Sequence, residues 1–363
     1  MNDIRLWVVG LGTVGQWLLH AVHANGARLE GRYGFVPRVV GVASARHGFV
    51  YDADGLDPPT VLEQVAGGRP LSELGHARHW DRAIEGLGAT EADVLVEVTA
   101  SQAPTGEPGL THMREALQRG IPVVTSNKWP VALQGVQLAE LARERGVAFR
   151  AESTVMSGTP VLSTLVEGLA GATPTSLRGV LNATANFIVT RMEEGASYED
   201  ALGAARELGL AERDPTADVE GFDAMAKAMI LAGLVFGRQL RPEDVVRRGI
   251  TEIDPAQIEA ARSSGARVKQ LVTLALPEPS GGEDVVARVE PALVQRDDPL
   301  AHISGVVNGI VCRADPVGEV MIAGPGAGPA LAGQGVFSDL IAVARPARRG
   351  ATDPRTISHG VSG

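Results

Sequence analysis

The sequence predicts an α/β fold: a doubly wound parallel sheet, followed by a second α+β domain that carries the chemistry and a subunit contact. Three observations lead there. Short apolar runs alternate with helical periodicity over residues 1–150, the pattern of parallel strands joined by crossover helices. The first of those runs ends in a glycine-spaced turn that opens a helix. Later runs, Val268 to Leu276 and Val285 to Val294, alternate in the manner of half-buried strands and imply a mixed sheet.

Ile4 to Val9 (IRLWVV) reads as a buried strand. It runs into Gly10-Leu11-Gly12-Thr13-Val14-Gly15 and then a helical pattern through Trp17, Leu18, Leu19 and Val22. This is the GxGxxG fingerprint of a Rossmann-type sheet in strand–turn–helix context. Its glycines permit the tight turn, close approach to a pyrophosphate and tight helix–strand packing. The helix N-terminus offers free N–H groups to phosphate. Glycine is abundant, at 44 residues, so the spacing alone also fits a plain turn. Its place directly after the first strand weighs for a dinucleotide.

Arg38 to Ala43 is a second strand, and it ends in Ser44-Ala45-Arg46-His47. An NAD-specific site usually carries an acid there for the ribose 2′-hydroxyl. Arg46 instead suits a 2′-phosphate, so NADP is expected; NAD stays open if Arg46 is simply a surface arginine. Tyr51 to Thr90 reads as an irregular connection holding one or two helices, such as Thr60 to Val65. Asp93 to Val98 and Ile121 to Thr125 are further strands, running into Thr99 and into Ser126-Asn127-Lys128. Helices are expected over Leu110 to Arg119 and Leu133 to Gly146, with a strand at Ala148 to Ala151. Ligands lie at the carboxyl ends of such strands, where Gly10 to Gly15, Thr99 and Lys128 gather. Lys128 is placed there on a loop, against the plainer reading of a surface charge.

Val161 to Leu169 looks helical, and Arg178 to Phe187 reads as a strand leading through a polar turn into a helix. Arg206 to Phe236 begins as an acidic loop with Glu212, Asp214, Asp218 and Glu220, then becomes a helix. Asp223 and Lys227 sit four residues apart on one face of it. That spacing also fits an ordinary solvated pair. Two observations favour burial. Between Ala224 and Gly237 the only charge is Lys227, flanked by Met225, Ala226, Ala228, Met229, Ile230 and Leu231. Of 33 basic residues, only Lys128, Lys227 and Lys269 are lysines, the ones that, unlike arginine, can release a proton. A buried ammonium has a lowered pKa, toward the range useful in proton transfer. Lys269, on its alternating strand, is expected to face solvent. The open second sheet is expected to bury a face in a second copy, giving a homodimer. Gly324-Pro325-Gly326-Ala327-Gly328 feeds a last helix, Val336 to Ala344.

The net charge of −10 gives no reason to expect nucleic acid or an anionic membrane as a partner. The single cysteine, Cys312, excludes a disulfide framework and a cysteine metal cluster. With neither a signal-like apolar region nor a long apolar run, a soluble cytoplasmic protein is expected. The domains are placed at 1–150 for the dinucleotide and 151–315 for substrate, catalysis and dimerisation. Residues 316–346 should pack back onto the first domain, and 347–363 should form a disordered tail.

GLGTVG, VVTSNK, ESTVMSGTP, GVLNATANFI, AERDPTADVEGFDAMAK and GPGAG followed by VFSDL together resemble homoserine dehydrogenase, in that family's order and spacing and nearly to Arg345. The length is similar to the short form without a C-terminal regulatory domain. The resemblance implies an NAD(P)-linked interconversion of L-aspartate 4-semialdehyde and L-homoserine, a step toward threonine and methionine. It implies Lys227 as general acid and base, with Lys128 near the reacting carbonyl and the nicotinamide. Glu212 and Asp223 would hold the substrate ammonium, with Asp218 beside them. Gly10, Gly12, Thr13, Val14 and Gly15 would cradle the pyrophosphate, with Thr99 and Gly326 adding contacts. A monovalent cation, sodium or potassium, would be held at Glu152, Val155, Ser157 and Thr159, mostly by carbonyls. Two stretches depart from the family pattern. Met156-Ser157-Gly158-Thr159-Pro160 stands for Gly-Gly-Gly-Ile-Pro, and Asn182-Ala183-Thr184-Ala185-Asn186 for Asn-Gly-Thr-Thr-Asn. Both border the expected pocket, which leaves a dehydrogenase of another amino-acid semialdehyde as the alternative. A non-catalytic NADP-binding protein is the competing class, but it would have no use for the Asp223–Lys227 pair.

Overall fold

A computed structural model describes residues 3–74, 78–100, 102–276 and 285–345; the expected disordered tail, 347–363, lies outside the described residues. Strand β1 (Asp3–Val9) centres the first sheet because Leu6, Trp7 and Val8 are buried on both faces. Parallel to it lie β2 (Val36–Ser44) on one side and β5 (Val94–Glu97) on the other. Beyond β5 come β6 (Val123–Thr125) and β7 (Phe149–Arg150), also parallel. The order therefore reverses at β1, where a crevice forms at the carboxyl ends. Beyond β2, the antiparallel β3 (Gly48–Tyr51) and β4 (Arg78–Trp80) extend the sheet to β4-β3-β2-β1-β5-β6-β7. The sequence indicates only an irregular connection over most of this stretch. Strands of four and three residues are too short to display an alternation.

Both faces of this sheet are covered. Leu18, Leu19 and Val22 of the helix Thr13–Ala24 fill one side. Leu110, Met113 and Leu117 of the helix Gly109–Gln118 fill the other, with Leu138 and Ala142 of the helix Lys128–Arg145. This last helix begins earlier than the periodicity indicates, with a non-helical break at Gln134. Lys128 accordingly sits in a first helical turn and not on a loop.

The second sheet contains β8 (Thr173–Val180), β9 (Val245–Arg247), β10 (Ala266–Ala275), β11 (Val286–Gln295), β12 (Val307–Asp315) and β13 (Gly318–Pro325). Its order is β13-β12-β8-β10-β11-β9, antiparallel except for the β9–β11 pair. The helix Phe222–Phe236 lies on it, buried from Ala224 to Gly233 against Leu177, Val272, Leu274 and Val289. Burying Met229, Ile230 and Leu231 stabilises this layer by about 2 kcal/mol each. Of residues 316–346, β13 belongs to this second sheet. Only the helix Pro329–Ala344 returns to the first, where Val336, Phe337 and Leu340 join its core.

Lys269 corrects the solvent-facing expectation: it is 1% exposed. Alternation along β10 gives the direction of the side chain but not what covers that face. The end of the helix Ala183–Glu193 and the turn Pro299–His302 close over it, and Glu193 comes within 3.6 Å of the ammonium.

Candidate active site

The glycine turn after β1 opens a cleft of about 850 Å³ at the carboxyl edge of the first sheet. Gly10, Gly12, Thr13, Arg46, Thr99 and His112 are among its walls. Gly10 has φ +109°, and a Cβ built on it would lie 2.6 Å from the Val98 carbonyl. A Cβ on Gly15 would lie 2.0 Å from the Gly10 oxygen. At Gly12 it would meet nothing within 4 Å, because that side is the cleft itself. The first helical bond runs from the Gln16 N–H to the Gly12 carbonyl at 3.0 Å, so the N–H groups of Thr13, Val14 and Gly15 precede the helical ladder. The Val14 side chain packs into the core, leaving only its backbone for a ligand. These features fit a dinucleotide pyrophosphate. Arg46 is exposed at the end of β2 on the same cleft. Gly326 does not line it: a Cβ there would lie 2.2 Å from the Asn308 amide carbon, and its carbonyl accepts a bond from the Ser157 hydroxyl at 3.1 Å.

The second feature is a charge cluster joining the two layers. Asp223, in the first turn of its helix, is shared by two ammonium groups. Lys227 reaches its Oδ2 at 2.9 Å, and Lys128 pairs with its Oδ1 from the helix on the first sheet. Lys227 is 6% exposed and also donates to the Leu181 carbonyl at 2.7 Å. An ammonium has three N–H donors; the third of Lys227 has no protein acceptor among the described residues. Burial pushes the Lys227 ammonium below its ordinary value of 10.5, and the nearby Lys128 adds to that against the pull of Asp223. Lys128 shifts the other way, because the charge of Asp223 outweighs its partial burial. Burial alone would raise Asp223; the two lysines overcome it and hold the carboxyl well below the usual carboxylate range. One carboxylate thus holds an ammonium whose proton is bound more tightly than usual beside one whose proton is bound less tightly.

Asn182 caps the helix Ala183–Glu193 and ties the acids together. Its side-chain oxygen accepts from the Ala185 N–H at 2.8 Å. Its Nδ2 donates to Asp218 at 2.7 Å and to Asp223 at 3.1 Å. Burial raises the Asp218 pKa, partly offset by this bond. Glu212 stands exposed in the loop nearby, outside the hydrogen-bond cluster. The family departures in this stretch fall on Ala183 and Ala185. Asn182 and Asn186 keep bonding roles, Asn186 donating to the Gly305 and Val307 carbonyls at 3.0 and 3.1 Å.

At the loop 152–159, the polar side chains are already engaged in hydrogen bonds. The Glu152 carboxylate accepts from the N–H groups of Val161, Leu162 and Ser163 at 2.6, 2.8 and 2.7 Å. The hydroxyls of Ser157 and Thr159 donate to the Gly326 and Pro325 carbonyls. Val155 offers no polar side chain, so its main-chain carbonyl is the group it could turn toward a cation. Ser157 has φ +53°, the one positive value at a non-glycine among the described residues, where the family pattern has glycine.

The sequence reading missed Asn182 as a bridge, and it missed Glu97 and His112 on the cofactor side. Glu97 had a signal: it is the one charge inside the apolar run Val94 to Val98. Asn182 had none, since an asparagine at a helix start reads as a cap.

Comparison with known proteins places this geometry in a family. The family model described as homoserine dehydrogenase, NAD binding domain, matches residues 10–152, and the one described as homoserine dehydrogenase matches residues 160–341. The NAD(+)-dependent homoserine dehydrogenase of Pseudomonas canavaninivorans is 37% identical over 351 residues, 96% of this chain and 98% of that protein. The homoserine dehydrogenase of Methanocaldococcus jannaschii is 36% identical, over 92% of this chain and 96% of its own. Among solved structures, the putative homoserine dehydrogenase of Archaeoglobus fulgidus superposes with a TM-score of 0.81 at 32% identity, covering 94% of this chain and all of that one. A hyperthermophilic archaeal homoserine dehydrogenase in complex with NADPH gives 0.77 at 30% identity, over 94% and 97% of the two chains. Matched nearly end to end in both sequence and fold, the chain belongs to the homoserine dehydrogenase family.

Proposed function

We propose that this chain interconverts L-aspartate 4-semialdehyde and L-homoserine, with Lys227 moving the proton and Lys128 supplying fixed positive charge. The single observation that carries this reading is Asp223 shared between the two ammonium groups. A bound nicotinamide would supply or take the hydride at the substrate's C4. In the reducing direction, charge grows on the aldehyde oxygen, and both ammonium groups stabilise it. The third N–H of Lys227 then delivers the proton, a task for which its lowered pKa suits it. In the oxidising direction the neutral amine takes the hydroxyl proton. Asp223 already accepts from Lys128, Lys227 and Asn182, so its main part is to fix the two lysines. Asp218, with Glu212 across the loop, takes the substrate's α-ammonium, a charge-assisted pairing.

In the cofactor cleft, Gly10, Gly12 and the backbone of Thr13, Val14 and Gly15 hold the pyrophosphate, with Thr99 on the wall. Arg46 favours NADP over NAD through the 2′-phosphate. Gly326 acts through the 157–159 loop and not by direct contact. A monovalent cation at Glu152, Val155, Ser157 and Thr159 would rest mostly on carbonyls, and no catalytic step depends on it. Residues 1–150, with the returning helix Pro329–Ala344, form the cofactor domain, and 151–325 the catalytic one. The exposed apolar residues Val286, Leu293, Val307 and Met321 of the second sheet support a homodimer. No helix among the described residues is long and apolar enough to cross a membrane, and a cytoplasmic place fits the single cysteine.

The test is direct. Purified protein with NADPH and aspartate semialdehyde should consume the reduced nicotinamide, and with NADP and homoserine should form it. Activity confined to other amino alcohols would replace the substrate. No turnover on any amino alcohol or semialdehyde would replace the reaction. Arg46→Ala should raise the KM for NADP about tenfold, the loss of one charge-assisted contact, and leave NAD kinetics unchanged.

A further inference from the structure

Glu97 is fully buried at the end of β5, where the cofactor cleft meets the lysine cluster. Its Oε1 accepts from the Thr99 hydroxyl at 2.5 Å and the Thr99 N–H at 3.4 Å. Its Oε2 accepts from Asn127 Nδ2 at 2.9 Å. His112 Nδ1 stands 3.6 Å from Oε1, beyond a normal hydrogen bond. Asn127 also donates to Thr99 Oγ1 at 3.0 Å. The Thr125 hydroxyl donates to the Glu97 carbonyl at 2.8 Å and accepts from the Asn127 N–H at 2.9 Å. Gly109 lets this group close up: a Cβ there would lie 2.5 Å from Asn127 Nδ2 and 3.0 Å from Glu97 Oε2.

Two features call for a positional reason. A buried carboxylate is costly, and its close partners here are neutral donors. Asn127 also occupies the N-cap position of the helix Lys128–Arg145, yet its side chain makes no capping bond. A cap of that kind stabilises the helix end. The amide faces Glu97 and Thr99 instead. Thr99 and His112 are walls of the cofactor cleft, and the next residue after Asn127 is Lys128.

We propose that Glu97 is a positioning residue, which draws the Asn127 amide away from the helix end, ties it to Thr99, and so fixes Lys128 and its partner Asp223 relative to the cofactor wall. Its effect on turnover rests on the proposed reaction; its effect on cofactor binding does not. Glu97→Gln keeps the shape but replaces one acceptor oxygen by a donor, so either Thr99 or Asn127 faces a donor. The expected result is kcat lower by about tenfold or more, the scale of a small misplacement of a catalytic group. NADPH affinity, read by its fluorescence on titration, should weaken by about threefold or more, as one hydrogen bond on the wall is disturbed. The homoserine KM should stay within about twofold, because Glu97 does not touch the substrate acids. Adding Asn127→Asp reverses the donor and acceptor, and this double variant should regain most of both losses. A purely structural role would lower the melting temperature of Glu97→Gln without that rescue. The proposal is overturned if Glu97→Gln turns over and binds NADPH as wild type does, or if the double variant is no better than Glu97→Gln. If wild type fails to act on homoserine, the reaction falls, and the NADPH titration of the same three proteins still decides the positioning role.

Discussion

Lys227 has its chemistry set by what surrounds it. Burial lowers its pKa from 10.5, while the charge on Asp223 keeps the ammonium from being lost outright. In the proposed reaction the neutral amine is the base for homoserine oxidation, so kcat in that direction should rise with pH through an ionisation below 10.5. Aldehyde reduction needs the ammonium and should fall through the same ionisation. Lys128, raised above its ordinary value, stays charged across that range. Lys227→Arg should not restore turnover, because arginine cannot release the proton. Asp218→Asn should raise the homoserine KM about 10- to 100-fold, the loss of one charge-assisted contact; steady-state kinetics in both directions checks this. The lysine was legible because the sequence isolates it in an apolar helix and spends few lysines elsewhere. Its partners were less so. Lys128 and Asp223 lie 95 positions apart, and no periodicity connects such residues. Lys269 shows the limit of the same reasoning: scarcity marked it, alternation turned it outward, and the Glu193 end of a neighbouring helix covers it.

The glycine turn separates shape from binding at the level of an element. A Cβ at Gly15 would press on the Gly10 oxygen at 2.0 Å, whereas one at Gly12 has open space. Gly15→Ala should therefore destabilise the fold and abolish binding. Gly12→Ala should melt close to wild type and still lose cofactor affinity, because its methyl takes the room left for the pyrophosphate. Melting curves and NADPH titration together distinguish the two. This element was readable because strand, turn and helix follow one another locally. The β3–β4 edge was not, since its strands of four and three residues draw their order from pairing with β2. The helix Lys128–Arg145 was read short because Lys128, Trp129 and Pro130 in its first turn follow no apolar stripe.

The whole molecule is closed by its far end. The helix Pro329–Ala344 packs against Thr13–Ala24, and Phe337 meets Trp17 edge to face, with centroids 6.4 Å apart. Phe337→Ala should cost about 3–5 kcal/mol, as for other buried aromatics. Chemical denaturation should show that loss at the first sheet, although the mutation lies more than 300 residues from β1. The sequence showed two layers and a returning helix, but not that β13 stays with the second sheet, because a hairpin to β12 is decided by pairing across strands. The two layers meet at Asp223, held from one by Lys128 and from the other by Lys227. The most direct measurement of the central claim is a single-turnover oxidation of homoserine by Lys227→Met with saturating NADP. The expected result is normal cofactor affinity with a rate lower by ~10²–10⁴-fold, the contribution of a positioned proton-transfer group. A rate within about threefold of wild type, well inside that loss, would contradict the assignment of proton transfer to Lys227.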